Sequence, residues 1–139
     1  MKVQKYCLGF AFDRNRTHVL LIRKERPDWA KGLLNGLGGK FKNHAEHPAE
    51  AMTREFREEC GLTVAKWRQF ALMTGGGSEV HIFETATARL SQARQLTDEE
   101  PLILPVAICK SSMLVPSVTW LIPLACDTTK HAYIQSSHE

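Results

Sequence analysis

Glu55, Glu58 and Glu59 stand three and four residues apart, a spacing that brings side chains to one face of an α-helix. Carboxylates gathered this way repel one another unless a cation lies between them. Hard oxygen donors at that density suit Mg2+ or Mn2+, ions that work on phosphates. The chemistry within reach is therefore metal-assisted cleavage at a pyrophosphate. By itself, Arg54-Glu55-Phe56-Arg57-Glu58-Glu59 also reads as an ordinary solvated helix face, with Glu50–Arg54 and Arg54–Glu58 available as ion pairs. A Gly-Gly pair upstream, Glu46 between, and Gly61-Leu62 downstream move the balance towards chemistry.

The helix that must carry these residues is legible at its ends. Pro48 suits the first helical position, where its missing N–H is harmless. Glu50 falls in the first turn and at capping-box spacing from His47, itself a weaker cap than Ser or Thr. Gly61 can take the left-handed conformation that closes a helix. Ala49, Met52, Phe56 and Cys60 form an apolar stripe, and the three glutamates point away from it.

From Glu46 onward the chain resembles the signature of the Nudix hydrolases, the MutT-like family, written G-x5-E-x7-R-E-U-x-E-E-x-G-U with U bulky and apolar. Seven residues separate Glu46 from Arg54, and Arg54 to Leu62 fits position by position. Upstream, six residues rather than five separate Gly39 from Glu46, a loop lengthening that is cheap in closure entropy. The resemblance implies an α/β/α sandwich around a mixed β-sheet and hydrolysis of a nucleoside diphosphate derivative. It implies that Glu55, Glu58 and Glu59 hold Mg2+ (or Mn2+), with the Gly39 carbonyl as a further ligand. One glutamate, Glu58 or Glu59 before Glu55, serves the attacking water as base. Arg54 positions the glutamates by ion pairing, and Glu46 supports the loop–helix junction. Family members often draw another acid from a distant loop. Asp98-Glu99-Glu100 is the candidate cluster and Glu100 the choice, because it directly precedes a strand. A solvated acidic turn explains that cluster equally well.

For the substrate, Arg23 and then Lys40 are the basic candidates for phosphates, although a plain surface cation is the commoner fate of either. The stretch Asn35-Gly36-Leu37-Gly38-Gly39-Lys40 resembles that of oxidised-purine nucleoside triphosphatases, whose Asn contacts the base. Asn before Gly is also a turn signal. Trp29 and Trp120 could stack on a base, with a buried core position the default for Trp120. Gly75-Gly76-Gly77 is either a close approach to ligand or a hairpin tip, and it is not a P-loop. Sequence cues for ADP-ribose, dinucleoside polyphosphate and NADH hydrolases are missing after Leu62. The expectation is a nucleoside triphosphate pyrophosphohydrolase. A hydrolase of ADP-ribose or another conjugate, or a non-catalytic nucleotide-binding Nudix module, stays open. Val115-Pro116-Ser117 stands where the oxidised-purine enzymes offer an acidic pair.

At 139 residues, 43% hydrophobic and 24% charged, the chain suits one domain over 1–139 with a polar, mobile tail from about 127. A net charge of +3 gives no argument for nucleic-acid binding. Cys7, Cys60, Cys109 and Cys126 lack zinc or C-x-x-C spacing and read as reduced, mostly buried residues. The start of the chain does not read as a signal peptide and no run is long enough to span a membrane, so a cytoplasmic location is expected. Oligomeric state is open, a homodimer included. Strands are expected over 3–13, 18–23, 66–74, 79–88 and 101–108, with 18–23 antiparallel to 3–13. A turn is expected over 35–39 and a loop over 89–100. Residues 116–126 are ambiguous, because Ser117 could cap a helix that Pro123 opposes. Strands on both sides of an internal helix give an α+β architecture.

Overall fold

The computed structural model describes residues 3–129 and 132–135. These form a mixed sheet of β1 (Gln4–Phe12), β2 (His18–Arg23), β3 (Leu34–Asn35), β4 (Leu37–Lys40), β5 (Arg68–Gly75), β6 (Ser78–Ala86), β7 (Pro101–Pro105) and β8 (Ala132–Gln135). Two helices, α1 (Pro48–Cys60) and α2 (Val118–Cys126), accompany it. The sheet runs β3-β2-β1-β6-β5-β8, with β4 also pairing β1 and β7 pairing β2. β1 lies parallel to β6 from Gln4↔Ser78 to Phe12↔Ala86 and antiparallel to β2 and β4.

The layering follows from alternation along the strands. Cys7, Ala11, Leu20 and Ile22 pack with Met52 and Phe56 of α1. Phe10, Phe12, Val19 and Leu21 point the other way and pack with Val118, Leu121 and Ile122 of α2. A sheet covered on both faces needs apolar residues at successive positions, which accounts for the unbroken Val19–Ile22 run. The α/β/α sandwich expected from the sequence is the architecture that forms.

Four local expectations change. Residues 34–40 are not a turn: β3 and β4 form there, and β4 pairs with β1 from Tyr6↔Lys40 to Gly9↔Leu37. The glycines serve close approach rather than chain reversal. A Cβ on Gly38 would stand 1.9 Å from the Cys7 carbonyl oxygen. The strand expected over 101–108 stops at Pro105, which has no N–H for the ladder, and Val106–Lys110 turns as a 3-10 helix. The ambiguous segment is α2, with Pro123 inside it and no side-chain cap from Ser117. Its burial against the sheet, not its ends, holds it. Finally, the tail contains β8, which pairs parallel with β5 from Ala71↔Ala132 to Thr74↔Gln135.

Candidate active site

α1 forms as its ends dictate. His47 Nδ1 accepts from the Ala49 N–H at 3.2 Å, and Gly61 closes the helix at φ 82° with its N–H on the Arg57 carbonyl. Ala51, Met52, Phe56 and Cys60 are buried, so the glutamates fall on the side facing β4.

Arg54 is the centre of the junction between β4 and α1. Its Nε and Nη2 form a two-pronged contact with Glu46, at 2.8 and 3.0 Å. Nη2 also donates to the Lys40 carbonyl at 3.2 Å. Nη1 lies 3.3 Å from Glu55 Oε1 and from Glu58 Oε1. Glu46 in turn accepts from the Lys42 N–H at 2.7 Å. The Arg54 guanidinium holds the Glu46 carboxyl below the usual carboxylate range. The chain on both sides of the loop is thus tied to one guanidinium.

The three glutamates have different surroundings. Glu55 packs directly on the backbone of Gly39, where a Cβ would stand 2.6 Å from the carboxyl group. Burial raises its pKa against the opposing pull of Arg54. Glu59 accepts from the Gly38 N–H at 2.7 Å. Burial pushes its carboxyl up to about 7, and the negative charges of Glu55 and Glu99 add to the effect. Glu58 is 52% exposed and leans on Arg54. Among the described residues, no three His, Cys, Asp or Glu side chains are already closed up as a metal cage. The donors share a face without converging. The donor set nevertheless fits a divalent cation: hard oxygens, two of them on carboxylates whose charge burial disfavours, beside exposed Glu58 and the Gly38-Gly39 backbone.

Glu100 lies apart from this arrangement. Its exposed side chain reaches Arg23 Nε over 3.8 Å, and its carbonyl accepts the Arg23 N–H. Its neighbour Glu99 is the buried acid, 6% exposed. Glu99 accepts from the Glu25 N–H at 2.7 Å and from Lys24 Nζ at 3.2 Å. Both Lys24 and Glu99 act on Glu59 electrostatically. Of the acidic cluster expected from the sequence, Glu100 is thus the solvated member and Glu99 the inward one, and Glu99 pairs with Lys24, a residue not among the sequence candidates. The available signal was the position of Lys24 just past the apolar strand β2.

Asn35 pairs with Ile22 in the sheet and its Oδ1 accepts from the Gly36 N–H at 2.8 Å. Lys40 is exposed at the end of β4. Trp29 is 68% exposed, and Trp120 is 40% exposed on the outer side of α2 rather than in the core. Gly75–Gly77 forms the β5–β6 hairpin tip with positive φ at all three glycines. The four cysteines are free, Cys7 and Cys60 fully buried and the other two partly.

The NUDIX domain pattern matches residues 6–104, a span within β1 to β7 that contains Glu46, Arg54, the three α1 glutamates, Gly38, Gly39 and Glu99. The chain belongs to the Nudix family. As a Nudix hydrolase it acts on pyrophosphate bonds in a nucleotide-derived substrate, and the family generally uses divalent metal ions. The fold is similar to that of a MutT from work on the Aliivibrio salmonicida and Vibrio cholerae proteins, with TM-score 0.73 at 18% identity, covering 88% of this chain and 97% of that one. It is also similar to the mutator MutT protein of Bacillus halodurans, with TM-score 0.74 at 17% identity, covering 98% of this chain and 90% of that one. No curated protein matches the chain significantly in sequence. Among the described residues, no helix of this Nudix protein is long and apolar enough to cross a membrane.

Proposed function

We propose that this Nudix hydrolase is a metal-dependent nucleoside triphosphate pyrophosphohydrolase. The observation that carries the reading is the packing of Glu55 and Glu59 on Gly39 and Gly38, which sets carboxylates and backbone side by side on one face. Glu55, Glu58, Glu59 and the Gly39 carbonyl would hold Mg2+ or Mn2+. Glu99 takes the part first given to Glu100, because Glu99 is buried and acts on Glu59 while Glu100 is exposed and paired with Arg23. The bound ion supplies a lowered water pKa and neutralises charge on the phosphate oxygens.

The chain's own residues do the rest. Glu59, oriented by the Gly38 N–H, accepts the proton of the attacking water; Glu58 is tied to Arg54 and serves less well. Arg54 is a positioning residue that fixes Glu46, Glu55 and the β4 end together. Lys40, exposed beside Gly39, is favoured over Arg23 for the phosphates, since Arg23 already faces Glu100. Asn35 spends its carbonyl on Gly36, which leaves the amide nitrogen to donate to a base edge. The stretch Asn35-Gly36-Leu37-Gly38-Gly39-Lys40, and the lack of ADP-ribose, dinucleotide and NADH cues after Leu62, support a triphosphate over other conjugates.

The test is hydrolysis by the purified protein with Mg2+ across nucleoside triphosphates, ADP-ribose, nucleotide sugars and dinucleotides. Release of pyrophosphate and a monophosphate from a triphosphate is expected. A preference for ADP-ribose or another conjugate would transfer the site to that substrate, and binding without turnover of any would make this a sensing module. Asn35→Ala should flatten discrimination among triphosphates by about 1–3 kcal/mol, the scale of a two-point base contact. If only stability drops and the substrate ranking is unchanged, Asn35 is a turn residue.

A further inference from the structure

Glu99, the distant acid proposed for the metal, has both carboxylate oxygens engaged by the chain itself. Oε1 accepts from Lys24 Nζ at 3.2 Å and Oε2 from the Glu25 N–H at 2.7 Å. Arg26 Nη1 adds a longer contact of 3.7 Å to Oε2, but Arg26 is exposed and its Nη2 is engaged by Asp98. The Glu99 side chain is 7% exposed and that of Lys24 25%, so this ion pair is largely withdrawn from water. A metal ion that takes Glu99 as a ligand must therefore remove a donor from it.

The backbone decides which donor can leave. The Lys24 N–H donates to the Leu33 carbonyl, and the Lys24 carbonyl accepts from the Gly32 N–H, both at 2.8 Å. These bonds fasten the chain just past β2 without using the lysine side chain. The Glu25 N–H is part of that fastened backbone and cannot withdraw from Glu99 unless the backbone moves. The ammonium, carried on a flexible stem, can. Its charge also accounts for Glu99 lying buried as an acid. A buried carboxylate is normally paired, and an unpaired one is driven to its neutral form. Lys24 and Glu99 both act on Glu59, but the lysine reaches Glu59 through space, whereas its hydrogen bond goes to Glu99. One ammonium thus stands among inward carboxylates where a divalent ion would bring twice the charge.

We propose that the Lys24 ammonium is a built-in counter-ion of the metal-free site, displaced from Glu99 by the divalent cation as that cation binds. The proposal rests on the reading of Glu99 as a metal ligand and adds what sets the affinity of the site. The ion is bound in exchange for a lysine, so Lys24 weakens metal binding while it stabilises the metal-free fold. The test is calorimetric titration of Mn2+, without nucleotide, into the unaltered protein, Lys24→Met, Lys24→Arg, Glu99→Gln and the Lys24→Met/Glu99→Gln double variant. Removing a positive charge from a ligand oxygen should tighten Mn2+ binding about tenfold in Lys24→Met. Lys24→Arg keeps the charge and should bind as the unaltered protein does. In the Glu99→Gln background the same lysine removal should change affinity by less than about threefold, because the group that couples them is gone. Lys24→Met should melt below the unaltered protein without metal, and the gap should narrow at saturating Mn2+. A lysine with a purely structural role would leave that gap constant. A second measurement needs no variant. Amine-reactive labelling of the unaltered protein, read by mass spectrometry, should rise at Lys24 on addition of Mg2+ and stay constant at exposed Lys66. Equal or weaker Mn2+ binding in Lys24→Met, the same tightening with and without Glu99, or Lys24 labelling that metal leaves unchanged would each overturn the exchange. The outcome separates from the functional reading. If the unaltered protein binds Mn2+ and Lys24 does not respond, the exchange falls and the metal-dependent reading stands. If Lys24 responds while no triphosphate is hydrolysed, the exchange stands and the triphosphate assignment falls.

Discussion

Glu84 and Glu59 are both withdrawn from solvent, yet Glu84 lies between two guanidiniums while Glu59 accepts from one backbone N–H. On β6, Glu84 is 4% exposed, with Arg16 Nη2 at 2.7 Å from one oxygen and Arg68 Nε at 2.7 Å from the other. Arg16 and Arg68 also lie over the rings of Phe12 and Phe70, so the cluster joins the β1–β2 turn to β5. On α1, half-buried Glu59 has the Gly38 N–H and the more distant positive charge of Lys24, set against burial and the negative charges of Glu55 and Glu99. A buried charge is normally paired because its desolvation is expensive. The first glutamate obeys that rule with protein groups. The second has no equal compensation within the chain, and that imbalance is what a divalent ion would correct.

Neutralising each glutamate tests this contrast, because the two effects should fall on different observables. Glu59→Gln should lower kcat by roughly 10²–10⁴, the range for losing a metal-bound or general-base carboxylate, without lowering the melting temperature. Full activity in that variant, or in excess EDTA, would remove Glu59 from the site. Glu84→Gln should do the reverse. Breaking a buried pair by removing one partner costs about 3–5 kcal/mol. The lower end applies here, since the Arg16 and Arg68 side chains are 24% and 31% exposed. A melting temperature lower by about 10 °C is expected, with kcat retained at temperatures where the variant is folded. If Glu84→Gln instead abolishes turnover in the folded state, the division between the two glutamates fails.

The same contrast predicts where metal should act. A ligand that binds only the native state stabilises it by about 2.7 kcal/mol at a hundredfold excess over its Kd. Saturating Mg2+ or Mn2+ should therefore raise the melting temperature of the unaltered protein by about 10 °C. The rise should persist in Glu84→Gln and shrink in Glu59→Gln. A melting curve that metal leaves unmoved would mean that the repulsion among Glu55, Glu58 and Glu59 is borne without an ion.

What could be foreseen from the sequence divides along the same lines as the two helices. α1 carries its own boundary signals in Pro48 and Gly61, and its structure has the predicted ends. α2 has no side-chain cap and contains Pro123; it exists because Val118, Leu121 and Ile122 are buried against the sheet. That is tertiary information and not local. The β3–β4 region was misread for a related reason: glycines selected for closeness to Cys7 and Glu55 look, in one dimension, like turn residues. The choice between Glu99 and Glu100 depended on which side chain turns inward at the start of β7, a matter of register that no spacing rule fixes. Trp120 was expected in the core on residue type, but the helical phase set by Leu121 and Ile122 turns it outward.

A third carboxylate supplies the control for both glutamates. Asp13, at the β1–β2 turn, is satisfied by neutral donors in reach of water. Its Oδ1 accepts from the N–H groups of Thr17 and His18 at 2.8 and 3.0 Å, and its Oδ2 from the Thr17 hydroxyl at 2.6 Å. The Thr17 hydroxyl first, and then the backbone donor of His18, lower its pKa to about 2 from an ordinary 3.8. A carboxylate whose folded pKa is depressed stabilises the fold above its unfolded pKa, and the contribution disappears as pH falls through the folded value. Asp13→Asn keeps one acceptor but loses the charge and the second. It should cost about 1 kcal/mol in urea unfolding near neutral pH. That difference should hold down to about pH 4 and close as pH approaches 2. It should also be indifferent to Mg2+, because this carboxylate already has its donors. A loss that grows with added metal would show that counter-ion demand is general to the acids of this protein, and Glu59 would then no longer be distinguished from them.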